Sequence, residues 1–216
     1  MTVALASSVE VEALRLRLDL HGYVHVPAAQ SECRDALQRA LGPVVHVEQV
    51  LADPHAVALV KSTRALPPHT DHHAARYILW TCLAQAERGG HSVLIDGLAV
   101  ARALPRHHQD ALQRVILAEH RVFDGDLDTH PMLVCGADRD RLYYSFWLAP
   151  DDLGGLEKEA FDAFTRALEV VPRVRLRLAP GDLLVVDNHR MLHGRGAIEG
   201  AQPRHLVRWW IGAPTG

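Results

Sequence analysis

Short apolar runs, broken every few residues by Gly or Pro, dominate the hydrophobic pattern of this chain. Such punctuation marks turns between short elements. Ser7 and Glu10 have capping-box spacing and predict a helix from there to about Leu20, ended by Gly22. Residues 23–27 alternate as a strand does, and 31–41 read as a second helix closed by Gly42-Pro43. Strands are expected at 44–51, 56–60, 77–83 and 92–95, and a helix at 105–117. The second half continues in this style, with strands at 121–123, 132–135, 142–146, 174–178, 183–187 and 205–211 and one helix at 153–170. Many short strands with few peripheral helices predict a mainly β jelly-roll or cupin-like double sheet. Regular βαβ alternation is absent, which argues against a doubly wound fold.

Length and composition narrow this further. A chain of 216 residues suits one domain spanning 1–216, with 1–43 as its helical and strand support. Hydrophobic residues make up 48%, enough for a sizeable core. A formal charge of −3 provides no attraction to nucleic acid or to an anionic membrane surface. Cys33, Cys82 and Cys135 are far apart and odd in number, so they form no disulfide framework and fit a reducing cytoplasm. No run approaches the roughly 18 apolar residues of a membrane span, and residues 1–8 lack the pattern of a signal peptide. With 15 histidines, each candidate ligand needs its own argument.

The first chemical feature is Pro67-Pro68-His69-Thr70-Asp71. On a strand, residues i and i+2 share a face, so His69 and Asp71 aim an imidazole and a carboxylate at one point. His193, after Pro180-Gly181-Asp182 and the strand at 183–187, fits as a third ligand. Two histidines and one carboxylate on one face leave coordination positions open, the facial triad of non-haem iron(II) oxygenases. Taken singly, an HxD pair or a lone His is more often structural. Arg204 and Arg208 change that balance. They lie four apart on one predicted strand, facing one way, and a hairpin through 194–203 would return that strand beside His193. Guanidinium groups grip carboxylates through paired charge-assisted bonds; the bland alternative is a solvated strand face.

Three stretches carry a resemblance: HTD at 69–71, GGHSVLIDG at 89–97, and PGDLLVVDNHRMLHGRG at 180–196 followed by PRHLVRWWI at 203–211. In order and spacing they resemble the taurine dioxygenase and clavaminate synthase-like group of iron(II)/2-oxoglutarate oxygenases. The resemblance implies a double-stranded β-helix. It implies iron(II) on His69, Asp71 and His193, with 2-oxoglutarate and dioxygen as co-substrates. Arg204 and Ser92 match the residues that hold the distal carboxylate of 2-oxoglutarate. Arg208 matches an arginine that holds an anionic group of a small-molecule substrate. Hydroxylation is the default outcome, with succinate and carbon dioxide as by-products. The Trp often found before HxD is Pro68 here, and Asp71 excludes the halogenase variant.

Other residues carry weaker readings. His72 and His73 follow the carboxylate, and a strand end would expose at least one of them. Asp124, Asp126 and Asp128 read as a solvated loop, or as the entrance for a cationic substrate. Tyr143, Tyr144 and Trp147 read as core or pocket wall, and Asn188 and Arg190 as braces for His193. A zinc-type metallohydrolase on the same ligands and a non-catalytic cupin-like binding module are the competing functions.

Overall fold

In the computed structural model, residues 8–126 and 129–213 are described. Ser7, residues 1–8 as a leader and Asp128 therefore lie wholly or largely outside the described residues. The chain opens with helix α1 (Ser8–His21), strand β1 (Tyr23–Val26), helix α2 (Ser31–Leu41) and strand β2 (Val44–Leu51). Next come β3 (Leu66–His69), β4 (Tyr77–Ala84), β5 (Arg88–Gly89) and β6 (Ser92–Asp96). Helices α3 (Gly97–Ala103) and α4 (Arg106–Leu112) precede four short strands, β7 (Ile116–Ala118), β8 (Thr129–Pro131), β9 (Leu133–Val134) and β10 (Arg141–Leu142). Helix α5 (Gly155–Val170) leads to β11 (Val174–Leu176), β12 (Leu183–Asp187), β13 (Met191–Arg195), β14 (Ile198–Glu199) and β15 (His205–Ile211).

The longer strands form two sheets, ordered β1-β12-β4-β15-β2 and β11-β6-β13-β3. The pairings are antiparallel throughout. The sheets share no strand, so the architecture is a double sheet and not a closed barrel. Alternation along the strands sorts side chains between layers. On the first sheet Leu183, Val185, Tyr77, Leu79 and Ile211 pack outward against Leu18 of α1 and Leu37 and Leu41 of α2. Their neighbours Leu184, Val186, Ile78, Trp80, Leu206 and Trp210 pack inward, with Leu94 and Met191 of the second sheet. Ile95 and Leu192 turn outward onto α3, α4 and α5. Burying such a side chain contributes about 1.5–3 kcal/mol, so the strand register is strongly specified. The functional side chains occupy the space between the sheets.

Five expectations fail, the first being the strand at 142–146, of which only Leu142 is in a strand because Phe146–Leu148 turns as a 3₁₀ helix with Leu148 N–H bonded back to the Ser145 carbonyl at 3.0 Å. Residues 56–60 are a turn leading into a 3₁₀ helix, Leu59–Lys61, because tertiary hydrogen bonds hold them away from any sheet. The helix expected at 105–117 stops at Leu112, and Ile116–Ala118 pairs instead with Thr129–Pro131. Residues 121–123 form no strand, since Asp126 takes the backbone N–H groups of Val122 and Phe123 at 2.7 and 2.6 Å. Finally, 194–203 is not a hairpin joining neighbouring strands, for β13 and β15 belong to opposite sheets. The arginine strand faces His193 across the interior.

Candidate active site

His69 and His193 are direct cross-strand partners on β3 and β13. Their ring centroids are 4.6 Å apart. Gly194 permits this approach, because a Cβ there would lie 2.6 Å from the Leu66 carbonyl oxygen. Asp71 lies just beyond the end of β3. Its backbone N–H donates to Asn188 Oδ1 at 2.8 Å, while Thr70 N–H donates to the Tyr144 carbonyl at 2.8 Å. Asn188 Nδ2 also donates to the Ala75 carbonyl at 2.8 Å, stapling the turn that follows. Asn188 thus braces Asp71, and not His193 as expected. Arg190 pairs with Asp96 and caps carbonyls of Asp19 and Leu20.

The three side chains converge. His69 Nε2 is 3.8 Å from Asp71 Oδ1, and His193 Nε2 is 3.6 Å from Asp71 Oδ2. All three are buried, with one ligand atom each inside a 4.8 Å span. His69 Nδ1–H donates to the Pro67 carbonyl at 2.9 Å, which leaves Nε2 as the lone-pair nitrogen facing Asp71. Burial, with His193 adding to it, pushes the His69 pKa down to about 3, so the ring is neutral. Both ring nitrogens of His193 are buried without a hydrogen-bond partner. A divalent metal at the convergence point would answer that orphaned nitrogen, and two neutral imidazoles with one carboxylate suit it chemically.

Arg208 is the cation paired with Asp71. Its Nη1 donates to both Asp71 oxygens at 2.9 Å, and its Nη2 to Glu48 Oε2 at 2.6 Å. Trp210 Nε1 adds a bond to Asp71 Oδ2 at 3.1 Å. Burial alone would raise the Asp71 carboxyl, but Arg208 and then His193 outweigh it and hold it well below the usual carboxylate range. Glu48, which also pairs with Lys61 at 3.0 Å, is a site residue that sequence reasoning missed. Its signal is register: Glu48 stands opposite Arg208 on β2.

Arg204 differs. It is buried, and its Nη2 donates to Ser92 Oγ at 3.0 Å. Its Nε has no partner, and among the described residues no carboxylate pairs with it. Burial, then the neighbouring Arg195, pushes its pKa down to about 10. Gly89 and Gly90, at φ +68° and +62°, make the left-handed turn that delivers Ser92. Ser92, Arg204, Arg208, His193, Trp80 and Leu206 enclose one narrow pocket. On the other side of the triad lies a cavity of about 430 Å³, bordered by Leu59, Val60, Leu66, Trp147 and Trp210. Tyr143 and Tyr144 belong to the core, and Trp209 lies on the outer face beneath Arg34.

His72 is fully buried, not an exposed strand end. Its Nδ1 accepts from Ala74 N–H at 3.1 Å, so the neutral ring carries its proton on Nε2. That nitrogen lies 3.3 Å from Asp126 and 3.5 Å from Glu119, and Glu119 also contacts His73 Nδ1. His72, His73 and Glu119 gather as a second cluster, one ligand atom of each lying within 4.8 Å of the others, and His72 Nε2 and Glu119 Oε2 make no hydrogen bond. Asp126 is thus part of a structural cluster, while Asp124 is exposed.

Two antiparallel sheets enclosing a pair of histidines and a carboxylate give the chain a cupin-like fold class, which by itself does not fix what the protein does. Within that class, the chain belongs to the taurine catabolism dioxygenase TauD, TfdA family, whose profile matches residues 6–210. It is 33% identical over 147 residues to a uridine-5'-phosphate dioxygenase from Amycolatopsis sp, covering 59% of this chain and 52% of that one. It is 25% identical over 196 residues to the human gamma-butyrobetaine dioxygenase, covering 74% and 48%. The chain thus spans about half the length of the curated relatives it matches. An asparagine oxygenase solved with Fe(II), 2S,3S-3-hydroxyasparagine and succinate shares the fold, with TM-score 0.71 and 19% identity over 98% of this chain and 86% of that one. OrfP, a non-haem iron oxygenase solved with Fe and alpha-ketoglutaric acid, has TM-score 0.73 and 15% identity over 95% and 80%.

Proposed function

We propose that this protein is an iron(II)- and 2-oxoglutarate-dependent dioxygenase acting on a small molecule. The observation that carries the reading is Arg204, a buried guanidinium with no acid, beside Ser92 at the far end of the pocket that starts at His193. A buried, uncompensated guanidinium is costly and calls for an anion. The distal carboxylate of 2-oxoglutarate supplies one. His69, Asp71 and His193 would hold iron(II). When bound, iron and 2-oxoglutarate supply dioxygen activation, yielding succinate, carbon dioxide and an oxidised C–H bond of the substrate.

The chain's own residues bind, orient and exclude. Arg204 and Ser92 orient the co-substrate. Trp80 and Leu206 keep water from its stem. Arg208 and Trp210 hold the Asp71 carboxylate ionised and fixed in direction. Trp147, Leu59, Val60 and Leu66 give the substrate an apolar cavity. For the substrate we propose a carboxylate- or sulfonate-bearing compound, such as an amino acid or natural-product intermediate, with its anion at Arg208. Arg208 borders both cavities, and its Nε is unpartnered. Glu48 and Asp71 already answer much of its charge, so that contact is partial. The solved relatives with amino-acid products support this class. Hydroxylation is the default reaction.

A zinc hydrolase on the same triad has no use for Arg204, and a binding module has none for an open metal face. The deciding experiment follows succinate release from 2-oxoglutarate with iron(II), zinc(II) or no metal. It is run against a panel of amino acids, sulfonates and natural-product intermediates. Iron-dependent succinate stimulated by one compound class is the expected result; zinc-dependent hydrolysis without succinate would replace it.

A further inference from the structure

Leu59 and Val60 border the substrate cavity, and Val60 also borders the pocket of Ser92 and Arg204. Val60, in the loop 57–64, therefore stands with Arg208 between the two cavities. Among the described residues the loop joins no strand ladder, and its backbone is pinned at two points, by Asp53 N–H to the Lys61 carbonyl at 2.7 Å and Ile198 N–H to the Thr63 carbonyl at 2.8 Å. Its regular structure is a three-residue 3₁₀ turn.

Arg195 supplies most of the side-chain bonds that gather this loop, beside one from Arg64 Nη2 to the Val57 carbonyl at 3.0 Å. Arg195 follows His193 by two on β13 and shares its inward face. It is buried, and its Nη2 donates to the carbonyls of Ser62 at 2.6 Å, Arg64 at 2.7 Å and Leu59 at 3.5 Å. Its Nη1 reaches the Val60 carbonyl at 3.4 Å. One planar fork thus gathers four carbonyls of one loop, which a lysine ammonium on a flexible stem does not reproduce. Among the described residues no carboxylate pairs with Arg195. Neutral carbonyls leave its charge uncompensated, and that charge is near enough to depress Arg204. Arg195 and Arg204 line the same pocket as two buried cations that no carboxylate pairs with among the described residues.

We propose that Arg195 is a positioning residue: it holds loop 57–64 as the wall of the co-substrate pocket and adds a second positive charge behind Arg204. The proposal rests on the functional reading above only for the identity of the anion as 2-oxoglutarate.

The test uses Arg195→Gln, Arg195→Lys and Val60→Ala in the full chain. Amide hydrogen exchange of the metal-free protein reads the loop; equilibrium dialysis of 2-oxoglutarate with manganese(II), without turnover, reads the pocket. Arg195→Gln is expected to speed exchange over 57–64 at least tenfold, leave β4 and β12 unchanged, and weaken 2-oxoglutarate at least tenfold. Arg195→Lys falls between, because it keeps the charge and loses the fork, and it carries the test if the Gln variant does not fold. Val60→Ala weakens 2-oxoglutarate several-fold without changing exchange. Unchanged loop exchange in a folded Arg195 variant overturns the strut. Faster exchange with wild-type affinity overturns the wall. If the wild type binds no 2-oxoglutarate while Arg195→Gln still loosens the loop, the strut stands and the functional reading is what fails.

Discussion

Arg208 Nη1 sits 2.9 Å from both carboxylate oxygens of Asp71, the same two atoms that His69 Nε2 and His193 Nε2 approach at 3.8 and 3.6 Å. The same carboxylate is thus shared between a permanent cation of the protein and the point where His69 and His193 converge. In the metal-free protein Arg208 is the largest single influence that keeps the buried Asp71 ionised. Stranding a buried charge by removing its partner costs about 3–5 kcal/mol. Arg208→Ala should therefore lower the melting temperature of the metal-free protein sharply. A divalent metal replaces part of the lost charge, so manganese(II) should raise the melting temperature more in Arg208→Ala than in wild type. Equal metal-induced shifts in the two proteins would show that Arg208 and the metal position are not coupled through Asp71.

Arg204 and Ser92 are bonded to each other, so their substitutions should not act independently. Arg204→Ala should weaken 2-oxoglutarate by about 2–5 kcal/mol, the scale for one member of a buried charge pair. Ser92→Ala should cost on the order of 1 kcal/mol, one hydrogen bond. In the double variant the Ser92 effect should largely vanish, because its hydroxyl acts where Arg204 holds it. Isothermal titration of all four proteins measures this; strict additivity, or unchanged affinity in Arg204→Ala, removes the pair from the anchor.

What was legible in the sequence follows from how local each cause is. His69 and Asp71 were legible as a close pair from their i, i+2 spacing, although β3 ends at His69 and Asp71 is held in place by the bond of its N–H to Asn188. Helix Ser31–Leu41 and strands Val44–Leu51, Leu183–Asp187 and His205–Ile211 match their predicted bounds, since Gly, Pro or Ser brackets most of them. Glu48 was hidden because a glutamate on an edge strand looks solvated until the register sets it opposite Arg208. Residues 56–60 look like a strand by composition, yet some of the bonds that shape them come from Arg195, over 130 positions away. The placement of Arg208 and Arg204 toward His193 was readable as shared facing. The route was not, since it depends on which sheet each strand joins.

Asp182 ties the loop after β1 to the turn before β12. Its Oδ1 accepts from Ala28 N–H at 3.0 Å, and its Oδ2 from Ala179 N–H at 2.9 Å and His25 Nε2 at 2.8 Å. Ala28 is held at φ +45°, a left-handed position that costs an alanine about 1–2 kcal/mol. Burial opposes ionisation of Asp182, but the two backbone N–H groups and His25 together lower its pKa below the ordinary value. A lowered carboxylate pKa contributes stability that is fully present above the unfolded value, about 3.9, and is lost as pH falls through the folded one. Asp182→Asn should therefore cost about 1–3 kcal/mol at pH 7, because its amide faces a donor. The gap between variant and wild type in urea unfolding should narrow below about pH 4, as wild-type Asp182 takes up its proton. A gap independent of pH would mean that shape, and not charge, makes the contact. Ala28→Gly should stabilise both.

Gly194 gives the most direct link between backbone and the proposed metal site. A Cβ at this position would sit 2.6 Å from the Leu66 carbonyl oxygen and 3.0 Å from Pro68 N, both of them backbone atoms of β3. Neither can rotate away as a side chain could, so Gly194→Ala must push β3 and β13 apart. Those two strands carry His69 and His193 as opposed partners. Metal sites tolerate little displacement of their ligands, about 0.5 Å in well-organised constellations. Gly194→Ala should thus lose metal affinity by at least tenfold while leaving the first sheet and its helices intact. Far-ultraviolet circular dichroism would stay close to wild type, and manganese(II) titration would show the loss. By contrast, Gly125→Ala, where a Cβ meets nothing within 4 Å, should bind metal as wild type does, despite a strained φ of +87°. Wild-type metal affinity in Gly194→Ala would mean that the two histidines are held by something other than the approach of their strands.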